Sequence, residues 1–241
     1  MATVLTRTPS GGNYKTATFS AWVKKSENDR EQTLLSFRNN SDDYQCVCKF
    51  RSGNFLRWED YATGTTFRLE SNAKFRDVNG WYHVVANVDT TQATDTNRAK
   101  LWVNGEELSL GTATYPSQNT NLQINGNIGG TNSQQLGAYS TGALLYLNGI
   151  MSHVHWIDGT AYDATAFGET DANGVWKIKT SPSVTYGTNG FFILKDGNSV
   201  TDQSGEGNNF TVGSGTLTKT ESSPSNVFCT VNSLQAWYPT S

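Results

Sequence analysis

The 241-residue chain is poor in charge: 16% of its residues are Asp, Glu, Lys or Arg, and the formal balance is −3. That balance, with no cluster of Lys and Arg, excludes binding to a nucleic-acid backbone, which needs concentrated positive charge. No apolar run is long enough to cross a bilayer as a helix, so no membrane insertion is expected. The opening MATVLTRTPSGG lacks the basic-then-apolar layout of a secretory leader. Cysteine is scarce, with three in all. Cys46 and Cys48 are two apart and share one face of a strand, at a separation poor for a disulfide. No second pair exists to complete a zinc site. Small buried thiols in a reducing compartment are expected. Helical periodicity is also missing. DATAFGE, within 163–169, fits a single turn, and GNIGG at 126–130 follows a strand but precedes no helix, which removes a nucleotide-binding reading.

What the chain does have is Thr, Ser, Asn, Gln and Gly for turns and sheet edges, with 12% aromatics. Period-two alternation recurs throughout. ATFSAWVKK places Phe19, Ala21 and Val23 on one side, with Ser20, Trp22 and Lys24 on the other. TLLSFR, YQCVCKF, FLRWED and TTFRLES follow, separated by turn-rich segments. In WYHVVANVD, residues Tyr82, Val84, Ala86 and Val88 make an apolar face, and Trp81, His83, Val85 and Asn87 the mixed reverse. KLWVNGEEL reads as a hairpin, because Asn104-Gly105 supplies the two positive-φ positions of a type I′ turn. The register then sets Val103 opposite Glu106 and Leu101 opposite Leu108, with Trp102 on the reverse. NLQING, ALLYLNGIM, MSHVHWID, GFFILKD and NNFTVGSG give further expected strands, while ETDANGVWKIKT and SPSVTYGTNG read as irregular. Many short antiparallel strands with Gly and Asn turns indicate an all-β sandwich. The expected organisation is one jelly-roll domain over 1–220. The aromatic tail over 221–241 would pack on that domain or on a neighbouring subunit, with Trp237 and Tyr238 as contact residues.

WYHVVANVD, followed after a loop by AKLWVNGEEL, resembles the signature of laminin-G-like and pentraxin-like domains, within the concanavalin A-like lectin/glucanase jelly rolls. LTRTPSGGNYKTATFSAWVKKS, FGETDANGVWKIK, YGTNGFFIL, DQSGEGNNFTV and SPSNVFCTVNSL are similar, in order along nearly the whole chain, to structural proteins of tailed phages. The resemblance implies an antiparallel jelly-roll β-sandwich in a virion component assembled in the host cytoplasm. The role would be a tail fibre, a receptor-binding protein or a capsid decoration. Other virion proteins, a homo-oligomeric copy of the chain and a host-surface glycan are the implied partners. In family members DQSGEGNNFTV often stands at the beginning of the domain. Here it lies near the end, so a strand there is expected to complete the sandwich from the C-terminal side.

A sugar site needs an aromatic platform beside amide or carboxylate groups. Trp58, Glu59, Asp60 and Tyr61 in RWEDYATG, and Asn132, Gln134, Gln135 and Tyr139 in NSQQLGAYSTG, meet that description. For Trp58 and Tyr61, packing in a sheet is the competing role. His153 and His155 share a strand face, and with His83 could grip a metal or simply line the sheet. The resemblance also implies calcium, held by the loop acids Asp158, Asp163 and Asp202, whose other role is turn-making. No protein-bound cofactor is otherwise expected. The E-x-D-x-x-E strand motif of the related glucanases is absent. The adjacent pairs Glu59-Asp60 and Glu106-Glu107 would point to opposite faces of a strand, so a non-enzymatic role is expected.

Overall fold

The computed structural model describes residues 2–38, 44–126, 133–139, 145–195 and 199–220, together with Ser222 and Pro224. Its strands, in chain order, begin with β1 (Val4–Arg7), β2 (Thr16–Lys25), β3 (Gln32–Arg38), β4 (Tyr44–Phe50), β5 (Phe55–Ala62) and β6 (Thr65–Lys74). Next come β7 (Tyr82–Asp89), β8 (Ala99–Val103), β9 (Glu106–Glu107), β10 (Leu110–Thr114) and β11 (Ser133–Leu136). The chain continues through β12 (Gly149–Asp158), β13 (Gly168–Thr170), β14 (Trp176–Ile178), β15 (Phe191–Ile193) and β16 (Thr211–Ser214). Single 3₁₀ turns at Asp95–Asn97 and Ala164–Ala166 are the helical content among the described residues, and the second falls where DATAFGE predicted one turn.

Two antiparallel sheets face each other. The larger runs β10-β6-β5-β4-β3-β11-β1-β16, and the smaller β15-β12-β2-β7-β8-β9. Alternation decides what lies between them. Phe37, Cys46, Cys48, Phe50, Trp58, Phe67 and Leu69 point inward from the larger sheet. Phe19, Val23, Val84, Ala86, Leu101 and Trp156 meet them from the smaller. Each large side chain so buried contributes about 1.5–3 kcal/mol relative to exposure. The hairpin register is as expected: Val103 pairs with Glu106, the Leu108 amide donates to the Leu101 carbonyl, and Asn104 and Gly105 have φ of 51° and 87°. Cys46 and Cys48 are buried free thiols, and burial pushes both pKa values up.

β16 pairs with β1 at the end of the larger sheet, and Phe210 enters the core, so the C-terminal strand completes the sandwich as anticipated. Three other expectations are corrected. NLQING forms no strand: Leu122 and Ile124 are buried as anchors of an irregular segment instead. In ALLYLNGIM regular pairing starts at Gly149, because 145–148 is held by single bonds such as Leu147 N–H to the Gly137 carbonyl. ETDANGVWKIKT, read as irregular, contains the hairpin β13–β14. Its turn is built by Asp171, whose Oδ1 accepts from the Asn173 and Val175 amides at 2.9 Å each.

That hairpin belongs to a second layer. The outer face of the smaller sheet is covered by the chain from Thr160 to Tyr186. Val85, Trp102 and Ile157 pack there against Ala164 and Phe167, with Tyr162, Trp176 and Tyr186 around them. Thr18 pins this cover by donating to the Thr160 carbonyl and accepting from the Tyr162 amide, both at 2.8 Å.

Candidate functional site

Where the cover stops short of the sheet edge, the outer face opens into a cleft of about 350 Å³. It is lined by Asn87, Asp89, Gln92, Asn97, Lys100, Trp102, Glu107, Ala161 and Asp163. Strand register builds its floor. Lys100 lies across from Asn87, and Trp102 lies between Val85 and Glu107. One wall is the segment after Thr160, held by Asn87 Nδ2 donating to the Tyr162 carbonyl at 3.0 Å. The other is the loop after β7. There Arg98 donates to the carbonyls of Gln92, Ala93 and Pro116 at 2.8, 2.8 and 3.0 Å, so its guanidinium holds the loop together.

The electrostatics of the cleft are lopsided, with three carboxylates against the Lys100 ammonium. Lys100 Nζ donates to Glu107 Oε2 at 3.1 Å. Partial burial acts to raise the Asp89 pKa, but hydrogen bonds from Thr91, Gln92 and Thr16 outweigh it and hold the group below the usual carboxylate range. Asp163 caps the following 3₁₀ turn, its Oδ1 accepting from the amide and hydroxyl of Thr165. Trp102, 6% exposed, only closes the floor, and the amides and carboxylates of the walls are the groups that can hydrogen-bond the hydroxyls of a sugar ring.

Of the residues that the sequence suggested for ligand binding, the structure disperses most. Trp58 is 0% exposed and stands edge-on to Phe67 in the core, so it cannot serve as a stacking platform. Asp60 also points inward. Its Oδ2 accepts from the Gln123 amide at 2.7 Å, and burial raises its pKa to about 7. Gln134 is fully buried too, its Oε1 accepting from Arg7 Nε at 2.5 Å. The reason is common to all three: alternation along β5 and β11 turns them to the core side.

Glu59, one residue along, faces out into an ion-pair network with Lys49 (3.3 Å), Arg57 (3.4 Å) and Arg68 (2.8 Å). Burial opposes ionisation of Glu59, but these three cations outweigh it and keep its pKa below the ordinary value. Tyr61 and Tyr139 stay half-buried, and the Arg38 guanidinium lies 4.6 Å from the Tyr139 ring centre. Asn132, Trp237 and Tyr238 lie outside the described residues, as does the tail from 225 onward.

The calcium ligands do not fit their expected role. Asp158 Oδ1 accepts from the Asn13 amide and Asn125 Nδ2 at 2.8 Å each. Its Oδ2 accepts from the Asn189 amide at 3.0 Å and Asn189 Nδ2 at 3.3 Å. Asp202 takes the amides of Phe192, Ser204 and Asn208 and the Ser204 hydroxyl. Carboxylates surrounded by N–H and O–H donors present those hydrogens, and no free lone pairs, to a cation. Asp163 belongs to the cleft instead. Among the described residues no group of three His, Cys, Asp or Glu could hold a metal. The histidines are taken as well. Trp176 Nε1 donates to His83 Nδ1 at 3.0 Å, which places the ring proton on Nε2 facing Ser20 Oγ at 2.9 Å. His155 Nδ1 meets the Tyr186 hydroxyl at 3.0 Å, and its ring stacks on Phe192 at 4.0 Å.

Residues 3–160 match the model of the concanavalin A-like lectin/glucanases superfamily, and the chain belongs to that family. A candidate carbohydrate binding protein from Bacteroides ovatus ATCC 8483 has a similar structure, with a TM-score of 0.58 at 13% identity. The match covers 91% of this chain and 58% of that one, so this chain spans less than two thirds of that protein. A SAP-like pentraxin from Limulus polyphemus superposes at TM-score 0.47 and 12% identity, over 67% of this chain and 71% of that one. Domains LG4-5 of the mouse laminin α1 chain do so at 0.46 and 10%, over 80% and 44%. At such identities the likeness is one of fold. No curated protein matches the chain in sequence.

Proposed function

We propose that this chain is a non-catalytic, lectin-like module of a tailed-phage virion, and that it contacts a host-surface glycan through the cleft over Trp102. The observation that carries the glycan reading is the cleft itself, a 350 Å³ concavity with a buried indole in its floor and amides and carboxylates on its walls. Its volume lies at the lower end of the range for small-ligand sites. The fold likeness to the Bacteroides ovatus protein, a candidate carbohydrate binder, supports the same reading.

The non-catalytic part rests on where the acids go. Glu59 and Asp60 point to opposite faces of β5, one into an ion-pair network and the other into the core. Asp171 is spent on the β13–β14 turn. The virion setting rests on the sequence similarity to tailed-phage structural proteins along the chain, and it makes neighbouring virion proteins and further copies of the chain the expected partners.

Gln92 and Asn97 are exposed on the cleft wall, so Gln92→Ala and Asn97→Ala should leave the fold intact. On a glycan array followed by calorimetry, the double variant is expected to lose at least tenfold in affinity for any glycan the wild type captures. Unchanged affinity would remove the cleft from the reading. Reducing sugar released from that glycan would instead make the protein an enzyme. An electron-microscopy map of the particle tests the setting. Evenly repeated copies over the capsid, with no sugar affinity, would replace glycan contact by decoration.

A further inference from the structure

The lining of the cleft keeps hydrogen-bonding capacity that the described residues do not use among themselves. Asn87 is 8% exposed, and its Nδ2 is committed to the Tyr162 carbonyl. Its Oδ1 accepts from no described residue, although the side chain lines the cleft. Glu107 uses Oε2 for Lys100, and Asp163 uses Oδ1 for Thr165. The second oxygen of each takes no hydrogen bond from a described residue. Asp89 is different: both its oxygens are occupied, by Thr91, Gln92 and Thr16. The cleft therefore presents unused acceptors, two of them on carboxylates, around an aromatic floor. Lys100 is its one lining cation and is already paired, while Arg98 behind the loop is turned to carbonyls.

We propose that the cleft takes a sugar residue bearing a free, protonated amine, and that it disfavours acidic sugars. The inference rests on the glycan reading above. An ammonium carries three donors and no acceptor, which matches a wall that offers acceptor oxygens from Asn87, Glu107 and Asp163. A sugar carboxylate brought beside Glu107 and Asp163 would meet like charge, and because both groups are exposed the repulsion is of the salt-screened surface kind. N-acetylation removes both the charge and two of the donors. The discriminating feature is thus the amine and not the sugar ring.

The experiment uses the full chain and three soluble oligosaccharide probes: fully deacetylated glucosamine oligomers, their N-acetylated counterparts, and oligogalacturonate. Binding is read by calorimetry at low and at moderate salt. The expected order is amine over N-acetyl by at least tenfold, with no measurable acidic binding, and the preference shrinking as salt rises. Glu107→Gln and Asp163→Asn keep shape and remove charge. Together they should abolish the preference for the amine while circular dichroism stays unchanged. Equal affinity for amine and N-acetyl probes, or tighter binding of the acidic one, overturns this inference and leaves glycan binding standing. Binding of none of the three, with none on a broader array, overturns both. A preference for the amine that persists in the double variant also overturns it, because the cleft carboxylates would then not be its source.

Discussion

His83 is a fully buried base between two indoles, with ring centres 4.8 Å from Trp22 and 5.9 Å from Trp176. Burial lowers its pKa to about 3, and burial also lowers that of His155, helped by the nearby His153 and His83. A base whose folded pKa is depressed contributes stability that is present above its unfolded value near 6.5 and is lost as the pH falls below it. Asp60 acts in the opposite sense. Its folded pKa is raised to about 7, so its contribution is present below its unfolded value near 3.8 and is lost as the pH rises through 7. Two histidines outweigh one aspartate in the shared window. Stability should therefore peak near pH 7 and fall by roughly 1 kcal/mol per pH unit between 6 and 4, as urea midpoints would report. His83→Gln should flatten that slope to near zero, and an unaltered slope would mean that His83 is not the titrating group. The residue scale also explains why Trp58 looked like a binding residue. An exposed-looking RWED motif is compatible with either strand face, and only its edge-on ring contact with Phe67 of β6 shows which side the indole takes.

Among the elements, the hairpin β13–β14 has an influence out of proportion to its six residues. It delivers Trp176 onto His83 and closes the outer face of the smaller sheet beside Gly105 and Gly168. A Cβ at Gly168 would lie 2.5 Å from the Trp176 ring, and one at Gly105 equally close. Gly168→Ala must therefore displace the indole, with an overpacking cost of about 1–3 kcal/mol. The expected signature is a loss of stability together with red-shifted tryptophan emission and an upward shift of the His83 pKa by NMR. A silent substitution would show that the cover is loosely seated. The loop from Thr91 to Arg98 makes the companion point. It reads in sequence as an interruption between two strands, yet three Arg98 hydrogen bonds shape it into the wall of the cleft.

At the scale of the whole molecule, the first and last strands among the described residues meet. β1 is held on one side by β11 and on the other by β16, and Arg7 lies between them. The Arg7 guanidinium stands 5.2 Å from the centre of Phe191 and 5.6 Å from that of Phe210, and its Nη2 donates to the Asn189 carbonyl at 2.6 Å. Burial lowers its pKa to about 10, with Asp202 and Asp158 acting against that, and it stays charged at neutral pH. Phe210→Ala should cost about 3–5 kcal/mol as a cavity beside a buried cation. The loss should appear as one cooperative transition in both tryptophan fluorescence and far-ultraviolet dichroism. A separate early step would show that β16 unfolds on its own.

Local pattern was sufficient to determine the sandwich. Alternation with a period of two assigns faces, and Asn104-Gly105 fixes a register that a one-residue slip would turn inside out. That is why the apolar faces of β2, β7 and β8 were readable without coordinates. The site was not readable in this way. Asn87, Lys100, Trp102, Glu107 and Asp163 come from three strands and a distant segment. Alternation could place Trp102 on the reverse face, but it could not say whether that face is wet, covered or partly open. That depends on where the chain from Thr160 to Tyr186 lies down across the sheet, a packing choice between segments some 75 residues apart, as in the Asn87–Tyr162 bond. Sequence periodicity records which side of a strand is apolar, and only tertiary contact decides what comes to lie against it.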